Sequence, residues 1–134
     1  MSKDYRIFIS HAWKYDDDYY RLENLLKKDP YFSFYNHSVP NHDPLIANND
    51  YELTQLLFNQ IRGTHVVLII AGMYVNYSKW IQKEIDIAIY YNKPIIGIKP
   101  WGRQYTPIQV QEDADEMVSW NTSSIIDAIE RMAL

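Results

Sequence analysis

The sequence contains no cysteine, and only 4 of its 134 residues are glycine. The absence of cysteine excludes a disulfide framework and a cysteine nucleophile, and it agrees with a reducing cytosol. No G-x-G-x-x-G or Walker sequence occurs, so the chain does not predict a glycine-rich phosphate loop of either kind. Whatever chemistry the chain performs must therefore come from other residue types.

The sequence also lacks long apolar runs and an excess of basic over acidic residues. No run approaches membrane-spanning length, and the polar start M-S-K-D-Y-R lacks the apolar region of a signal peptide. The net charge of -4 argues against a nucleic-acid groove, which needs a concentrated basic face. We expect a single domain over residues 1–134, cytoplasmic, with neither a membrane nor a nucleic acid as partner.

Short runs rich in β-branched and aromatic residues alternate with amphipathic stretches. Strands are predicted at residues 5–10, 31–35, 64–71, 95–98 and 116–120. Helices are predicted at residues 16–28, at 50–61 with Gly63 at its end, after a cap at Asn76 or Ser78, and at 123–132. This alternation predicts an α/β fold: a doubly wound, flavodoxin-like parallel sheet of five strands in the order 2-1-3-4-5.

In that fold, ligands bind beyond the carboxyl ends of the strands, at the switch point between strands 1 and 3. Those ends carry His11, the loop 37–49, the turn 72–78 and the loop 99–107. A phosphoacceptor domain of the same topology would need an aspartate after strand 3, where this chain has Ala71. His37, His42 and Asp43 lack recognised metal-ligand spacing, so no metal is predicted.

Glu84 stands out in the helix predicted after strand 3. Its neighbours one turn away, Trp80, Ile81, Ile87 and Ala88, are all apolar and cannot form an ion pair with it. A cap at Asn76 or Ser78 would place it less than two turns from the start of the helix. Two interpretations stay open: a boundary glutamate that reaches water, or a carboxylate held against an aromatic wall near the crevice.

Several stretches together resemble the TIR-like family that includes the ThsB proteins of Thoeris anti-phage systems. They are R-I-F-I-S-H-A-W at the first strand, N-H-S-V-P-N-H-D-P-L after the second, G-M-Y-V-N-Y-S-K-W-I-Q-K-E-I-D-I-A, K-P-I-I-G-I-K-P-W-G and V-S-W-N-T-S-S-I-I-D-A-I. The S-x-W-x-x-x-E element is similar to the segment that bears the catalytic glutamate in NAD⁺-cleaving TIR domains. The resemblance therefore implies that Glu84 is the catalytic residue.

The same resemblance implies an activity. NAD⁺ would be the substrate rather than a cofactor, nicotinamide would be released, and an ADP-ribose-derived nucleotide would signal to a separate effector protein. Self-association is also implied. The substrate-binding residues that follow from the resemblance are Ser10, His11, Trp13, Ser38, Trp80 and Lys99. Trp13 or Trp80 can stack on nicotinamide or adenine, although Trp80 can equally belong to the core. Lys14, Lys99 or Arg103 can meet the pyrophosphate.

Two other functions remain open at this point. The chain can be a non-catalytic TIR-like interaction module whose loops and edge strands assemble with partners. It can also be an enzyme like the nucleoside deoxyribosyltransferases, which have a similar sheet and use a glutamate on the ribose. Release of nicotinamide or of a nucleobase distinguishes the three functions.

Overall fold

The computed structural model describes residues 4–10, 17–37, 50–71, 74–99 and 108–133, with the backbone alone at 17–19, 50–53 and 74–80. Strands and helices alternate along the chain. The strands are β1 (Asp4–Ile9), β2 (Ser33–Asn36), β3 (Val66–Ile70), β4 (Ile95–Ile98) and β5 (Glu116–Val118). The helices are α1 (Asp17–Lys27), α2 (Asp50–Arg62), α3 (Tyr74–Tyr90), α4 (Ile108–Asp113) and α5 (Thr122–Met132).

The five strands form one parallel sheet in the order β2-β1-β3-β4-β5, which confirms the predicted α/β topology. All five residues of β3 are buried, as expected for the central strand. In register, Ile9 of β1 lies opposite Leu68, and Ile98 of β4 lies opposite Ile70. Helix α1 contacts α5, and α2 contacts α3. Right-handed crossovers place these two pairs on opposite faces of the sheet.

Three strands are shorter than predicted: β3 spans Val66–Ile70 rather than 64–71, and local turns shorten β2 and β5. The N–H of Tyr31 donates to the Asp29 carboxylate at 2.9 Å, and the Phe32 N–H donates to the Asp29 carbonyl at 3.2 Å. This turn delays β2 until Ser33. At the other end, the Asn121 side chain accepts the Ser124 N–H at 2.8 Å and caps α5, so the chain leaves β5 after Val118.

Helix α3 begins earlier than predicted. Its first residue is Tyr74, so Asn76 and Ser78 lie inside the helix and the predicted caps there are wrong. The helix ends in a Schellman motif, since Lys93 N–H donates to the Ala88 carbonyl and Asn92 adopts a φ of 56°. Helix α4 was not predicted, because six residues are too few to show a helical period.

The core lies between the sheet and both helical layers. Helix α5 contributes Ile125, Ile126 and Ile129 to this core. Helix α2 ends at Arg62, directly before the glycine predicted to terminate it. Within the described residues, none of the helices combines the length and the apolar character that a membrane span requires.

Candidate active site

The switch point of the sheet lies where β1 and β3 separate. Ser10 follows the last residue of β1 and is fully buried. Its N–H donates to the Leu68 carbonyl at 2.8 Å, and its hydroxyl oxygen accepts the Ile70 N–H at 2.9 Å. The hydroxyl therefore joins the carboxyl ends of these two strands, and the part of Ser10 in substrate binding stays a prediction.

Glu84 lies on the buried face of α3. Only 1% of the residue is exposed, although its helical neighbours on that face, Ile81, Ile85 and Ala88, are apolar core residues. Among the residues with described side chains, the buried polar ones are Ser10, Thr64 and Glu84, and of these only Glu84 carries a charge. The interpretation of Glu84 as a boundary glutamate that reaches water is therefore wrong.

The early start of α3 also changes the position of Glu84 along the helix. Glu84 is ten residues beyond Tyr74, which corresponds to about 15 Å and nearly three turns at 1.5 Å per residue. The expected distance of less than two turns was too short. Because α3 packs on β3 and against α2, its apolar stripe faces the core, and Glu84 lies within this stripe.

The polar face of α3 includes Gln82 and Asp86. The Gln82 side-chain amide donates to the Asp86 carboxylate at 2.9 Å, and Asp86 is exposed. The same amide reaches Asp113 of α4 at 3.4 Å, and Gln109 also donates to Asp113, at 2.7 Å. The bond between Gln82 and Asp113 links α3 to α4, a connection that the sequence did not reveal because the two residues are far apart in the chain.

Lys99 directly follows β4 at the same edge of the sheet as Ser10. Its N–H donates to the Val118 carbonyl at 2.9 Å, and the residue is exposed. The backbone is thus held between β4 and β5 while the ammonium group remains accessible to a ligand. The proposed contact between Lys99 and a pyrophosphate stays a prediction, as does every other binding contact.

The structure does not describe the side chains of the remaining predicted site residues. His11, Trp13 and Ser38 are outside the described residues, and so are His42 and Asp43. Trp80 belongs to α3, but its side chain is not described. Among the described residues, no group of three or more histidine and carboxylate side chains is arranged to hold a metal ion.

Two surface grooves lie away from the switch point. One, of about 400 Å³, is found at the amino ends of β4 and β5, and the other, of about 490 Å³, runs beside the edge strand β2. The first is lined by Ile89, Asn92, Lys93, Pro94, Ile95, Asp113, Asp115 and Met132. Neither groove includes Ser10, Glu84 or Lys99. We base the candidate site on the switch point, because doubly wound sheets bind ligands at their carboxyl edge.

His37, directly after the edge strand β2, is a residue through which the stability of the fold depends on pH. The backbone N–H of His37 donates to the Ile7 carbonyl at 2.7 Å, and the imidazole ring lies beside Gly63. Burial, and secondarily the positive charge of Arg6, lower the pKa of His37 below its ordinary value of 6.5. The unfolded chain therefore binds this proton more readily than the folded chain.

Acidification should consequently lower stability through His37. The stabilising difference is complete above pH 6.5 and is lost as the pH falls from 6.5 to the lower pKa of the folded state. We expect the fall in melting temperature between about pH 7.5 and about pH 5.5 to be smaller in His37→Gln than in the wild type. An identical fall in both proteins would show that another group causes the pH dependence.

A surface ion pair ties β5 to α5. Arg131 donates two hydrogen bonds to the Glu116 carboxylate, at 2.5 and 3.0 Å, and a third to Asp127 at 2.8 Å. The hydrogen bonds from Arg131 lower the pKa of Glu116. Because the groups are largely solvent-accessible, we assign this pair a role in orienting the edge of the sheet rather than in the site.

The sequence over residues 8–105 matches the family model described as Thoeris protein ThsB, TIR-like domain. The match spans most of the chain, including the end of β1, the switch point and Glu84. The chain belongs to this family. The resemblance predicted from the motifs is therefore confirmed at the level of the family, and no curated protein matches the TIR-like chain in sequence.

Solved structures support the fold of this TIR-like chain. It is similar to the CMP N-glycosidase BcmB of Clostridium botulinum, with a TM-score of 0.56, 16% identity and coverage of 94% of this chain and 98% of that one. It is also similar to a 3-dehydroquinate dehydratase-like protein of Bifidobacterium longum, with a TM-score of 0.51, 12% identity and coverage of 98% and 95%. At these identities the likeness concerns the fold alone.

Proposed function

We propose that this TIR-like chain cleaves the bond between nicotinamide and ribose in NAD⁺ and yields an ADP-ribose-derived signalling nucleotide in Thoeris anti-phage defence. The observation that carries the proposal is the burial of Glu84. It is a charged residue at a core position of α3 and is 1% exposed. A carboxylate at such a position costs free energy, and functional sites are where proteins retain such groups.

Membership in the ThsB family supports the same proposal. The segment around Glu84 lies within the matched residues 8–105. In addition, a protein of the same fold is named as a CMP N-glycosidase, an enzyme of N-glycosidic bond cleavage. The nicotinamide–ribose linkage of NAD⁺ is an N-glycosidic bond too. The substrate class we propose is therefore one that this type of sheet accommodates.

In the proposed reaction, the bond between C1′ of the ribose and the nicotinamide nitrogen breaks. Its electron pair leaves with nicotinamide, which departs neutral, and positive charge develops on the ribosyl ring. The Glu84 carboxylate stabilises this charge and can accept hydrogen bonds from ribose hydroxyls. Water then attacks C1′ and loses a proton, or a nitrogen of the adenine ring attacks and closes a cyclic product. Lys99, exposed beyond β4, can bind the pyrophosphate.

Purified protein incubated separately with NAD⁺, CMP and deoxynucleosides tests the proposal. We expect nicotinamide from NAD⁺ and neither cytosine nor another base from the other two substrates. Base release from deoxynucleosides would instead indicate a deoxyribosyltransferase-like enzyme, and cytosine release from CMP would indicate a nucleotide N-glycosidase. If neither nicotinamide nor a base is released from any of the three substrates, over about a hundredfold range of protein concentration around the micromolar level, an enzymatic role is contradicted.

A non-catalytic interaction module is the second candidate function. Large apolar side chains are exposed on the surface: Tyr31 is 87% exposed, Tyr90 71%, and Ile108 59%. Exposed aromatic residues are enriched at protein interfaces. A module of this kind would bind partners without releasing nicotinamide, so the same incubation distinguishes it from the enzyme.

The burial of Glu84 leads to a prediction about self-association. Because the residue is 1% exposed, NAD⁺ can contact it only after neighbouring groups move. We expect contact with a second copy to provide that change, so nicotinamide release per monomer should rise with protein concentration. The measurement is specific activity over about a hundredfold range of concentration around the micromolar level. A rate per monomer that stays constant over this range would contradict the prediction.

A further inference from the structure

We propose that Ser10 is a positioning residue. Its hydroxyl replaces a backbone acceptor at the switch point and thereby directs the end of β3 toward α3, the helix that carries Glu84. The catalytic consequence rests on the proposed function, whereas the structural consequence does not. This role differs from the direct substrate contact that the family resemblance implies for Ser10.

The register of β1 and β3 identifies the replaced acceptor. Ile9 lies opposite Leu68, and the Ser10 N–H donates to the Leu68 carbonyl at 2.8 Å. In a regular parallel ladder, the next bond would run from the Ile70 N–H to the backbone carbonyl of Ser10. In this structure the Ile70 N–H donates instead to the Ser10 hydroxyl oxygen, at 2.9 Å. The side chain therefore continues the ladder for one more bond.

Because the Ser10 hydroxyl takes the place of a backbone carbonyl, β1 can end while the Ile70 N–H of β3 keeps a hydrogen-bond acceptor. Ile70 is 1% exposed, so its N–H has no access to water, and a buried N–H without an acceptor is strongly unfavourable. The hydroxyl satisfies this donor and leaves the Ser10 carbonyl outside the ladder. Strand β1 can thus end at the point where a doubly wound fold opens its crevice.

The same bond holds the segment that leads to Glu84. Ile70 is paired with Ile98 of β4 on one side and is held by Ser10 on the other. Ala71 follows and is fully buried, and α3 begins three residues later at Tyr74. A shift at the end of β3 would therefore move the start of α3. Displacement of about 1 Å is enough to lower an enzymatic rate by about a hundredfold.

Thr64 offers a matched control. It is 2% exposed and lies before β3, where its hydroxyl donates to the Ile61 carbonyl at 2.8 Å. Thr64→Val therefore removes a buried hydroxyl hydrogen bond at the opposite end of the same strand. Ser10→Ala removes the acceptor of the Ile70 N–H. If Ser10→Ala does not fold, Ser10→Cys takes its place, because a thiol is only a weak acceptor.

Amide hydrogen exchange tests the structural part independently of any activity. We expect the Ile70 amide to exchange at least about tenfold faster in Ser10→Ala than in the wild type, with faster exchange also in the first turn of α3. Thr64→Val should leave both unchanged. Unchanged exchange at Ile70 in Ser10→Ala, or an equal increase in Thr64→Val, would overturn the positioning role.

Kinetics test the catalytic part. In Ser10→Ala, we expect kcat for nicotinamide release to fall by about tenfold to a hundredfold, while KM stays within about twofold. Ser10→Thr, which keeps the oxygen, should restore most of the rate. A raised KM with an unchanged kcat would overturn the proposal in favour of direct substrate contact. If the wild-type protein does not cleave NAD⁺, only the proposed function is contradicted. The exchange rate of the Ile70 amide then still tests whether the Ser10 hydroxyl holds the end of β3.

Discussion

Replacing Glu84 with glutamine is expected to lower the rate of nicotinamide release by roughly a hundredfold or more. Glutamine keeps nearly the same volume but removes the charge that stabilises the ribosyl cation. Because that charge interacts most strongly with the transition state, the binding of NAD⁺ should weaken far less than the rate. The measurement is kcat and KM for nicotinamide release by Glu84→Gln and by the wild type.

Although the rate of Glu84→Gln should fall, its free energy of unfolding should stay nearly the same or rise. Glu84 is 1% exposed, and its helical neighbours on the buried face of α3 are apolar, so loss of its charge lowers the cost of burial. We expect the free energy of unfolding of Glu84→Gln to lie within about 1 kcal/mol of the wild-type value or above it.

Asp86→Asn is the matched control. It removes a carboxylate from the same helix, two residues further on, but Asp86 is exposed. It should retain the rate of the wild type. Equal losses of rate in both variants would show that the net charge of α3, rather than Glu84 itself, supports the reaction. Unfolding of Glu84→Gln would show that Glu84 is structural, and an unchanged rate would show that another residue is catalytic.

The second large effect is expected at Gly97, in the middle of β4. A Cβ atom at this position would collide with Sδ of Met117 on β5 and would come within 3.0 Å of its Cε atom. The flexible end of the Met117 side chain occupies the space beside Gly97 and would have to shift to admit a Cβ atom. We expect Gly97→Ala to lower the free energy of unfolding by about 1 kcal/mol, measured by chemical denaturation.

A second substitution at Met117 tests this cause. Met117→Ala removes the atoms with which the new Cβ would collide, so the double variant should be more stable than the sum of the two single effects predicts. The expected coupling is about 0.5 to 1 kcal/mol. Additive effects would mean that the contact between these neighbouring strands does not explain the need for glycine.

The family and the fold could both be predicted from the sequence. Apolar runs with β-branched residues determine the strands, because strands buried on both faces cannot carry polar side chains. The apolar residues of the strand predicted at 64–71 therefore indicated β3, whose residues are all buried. The W-x-x-x-E spacing likewise singled out Glu84, since motif spacing is a local property of the chain.

The exact ends of the elements could not be predicted, because turns compete with propensity there. Asp29 forms a turn that takes Tyr31 out of β2, and Tyr74 starts α3 before either predicted cap. The second difference matters for function, since it places Glu84 a full turn further along the helix than expected. Helix boundaries depend on tertiary contacts that short-range patterns do not contain.

Only the tertiary structure decided the environments of Ser10, Glu84 and Gly97. The sequence left Glu84 between water and the core, and the packing of α3 on the sheet buried it. The hydroxyl of Ser10 found its partner in Ile70, sixty residues away, through the register of β1 and β3. Gly97 makes room for Met117 of the adjacent strand. Each of these environments depends on residues distant in sequence, and only the pairing and packing of whole elements bring such residues together.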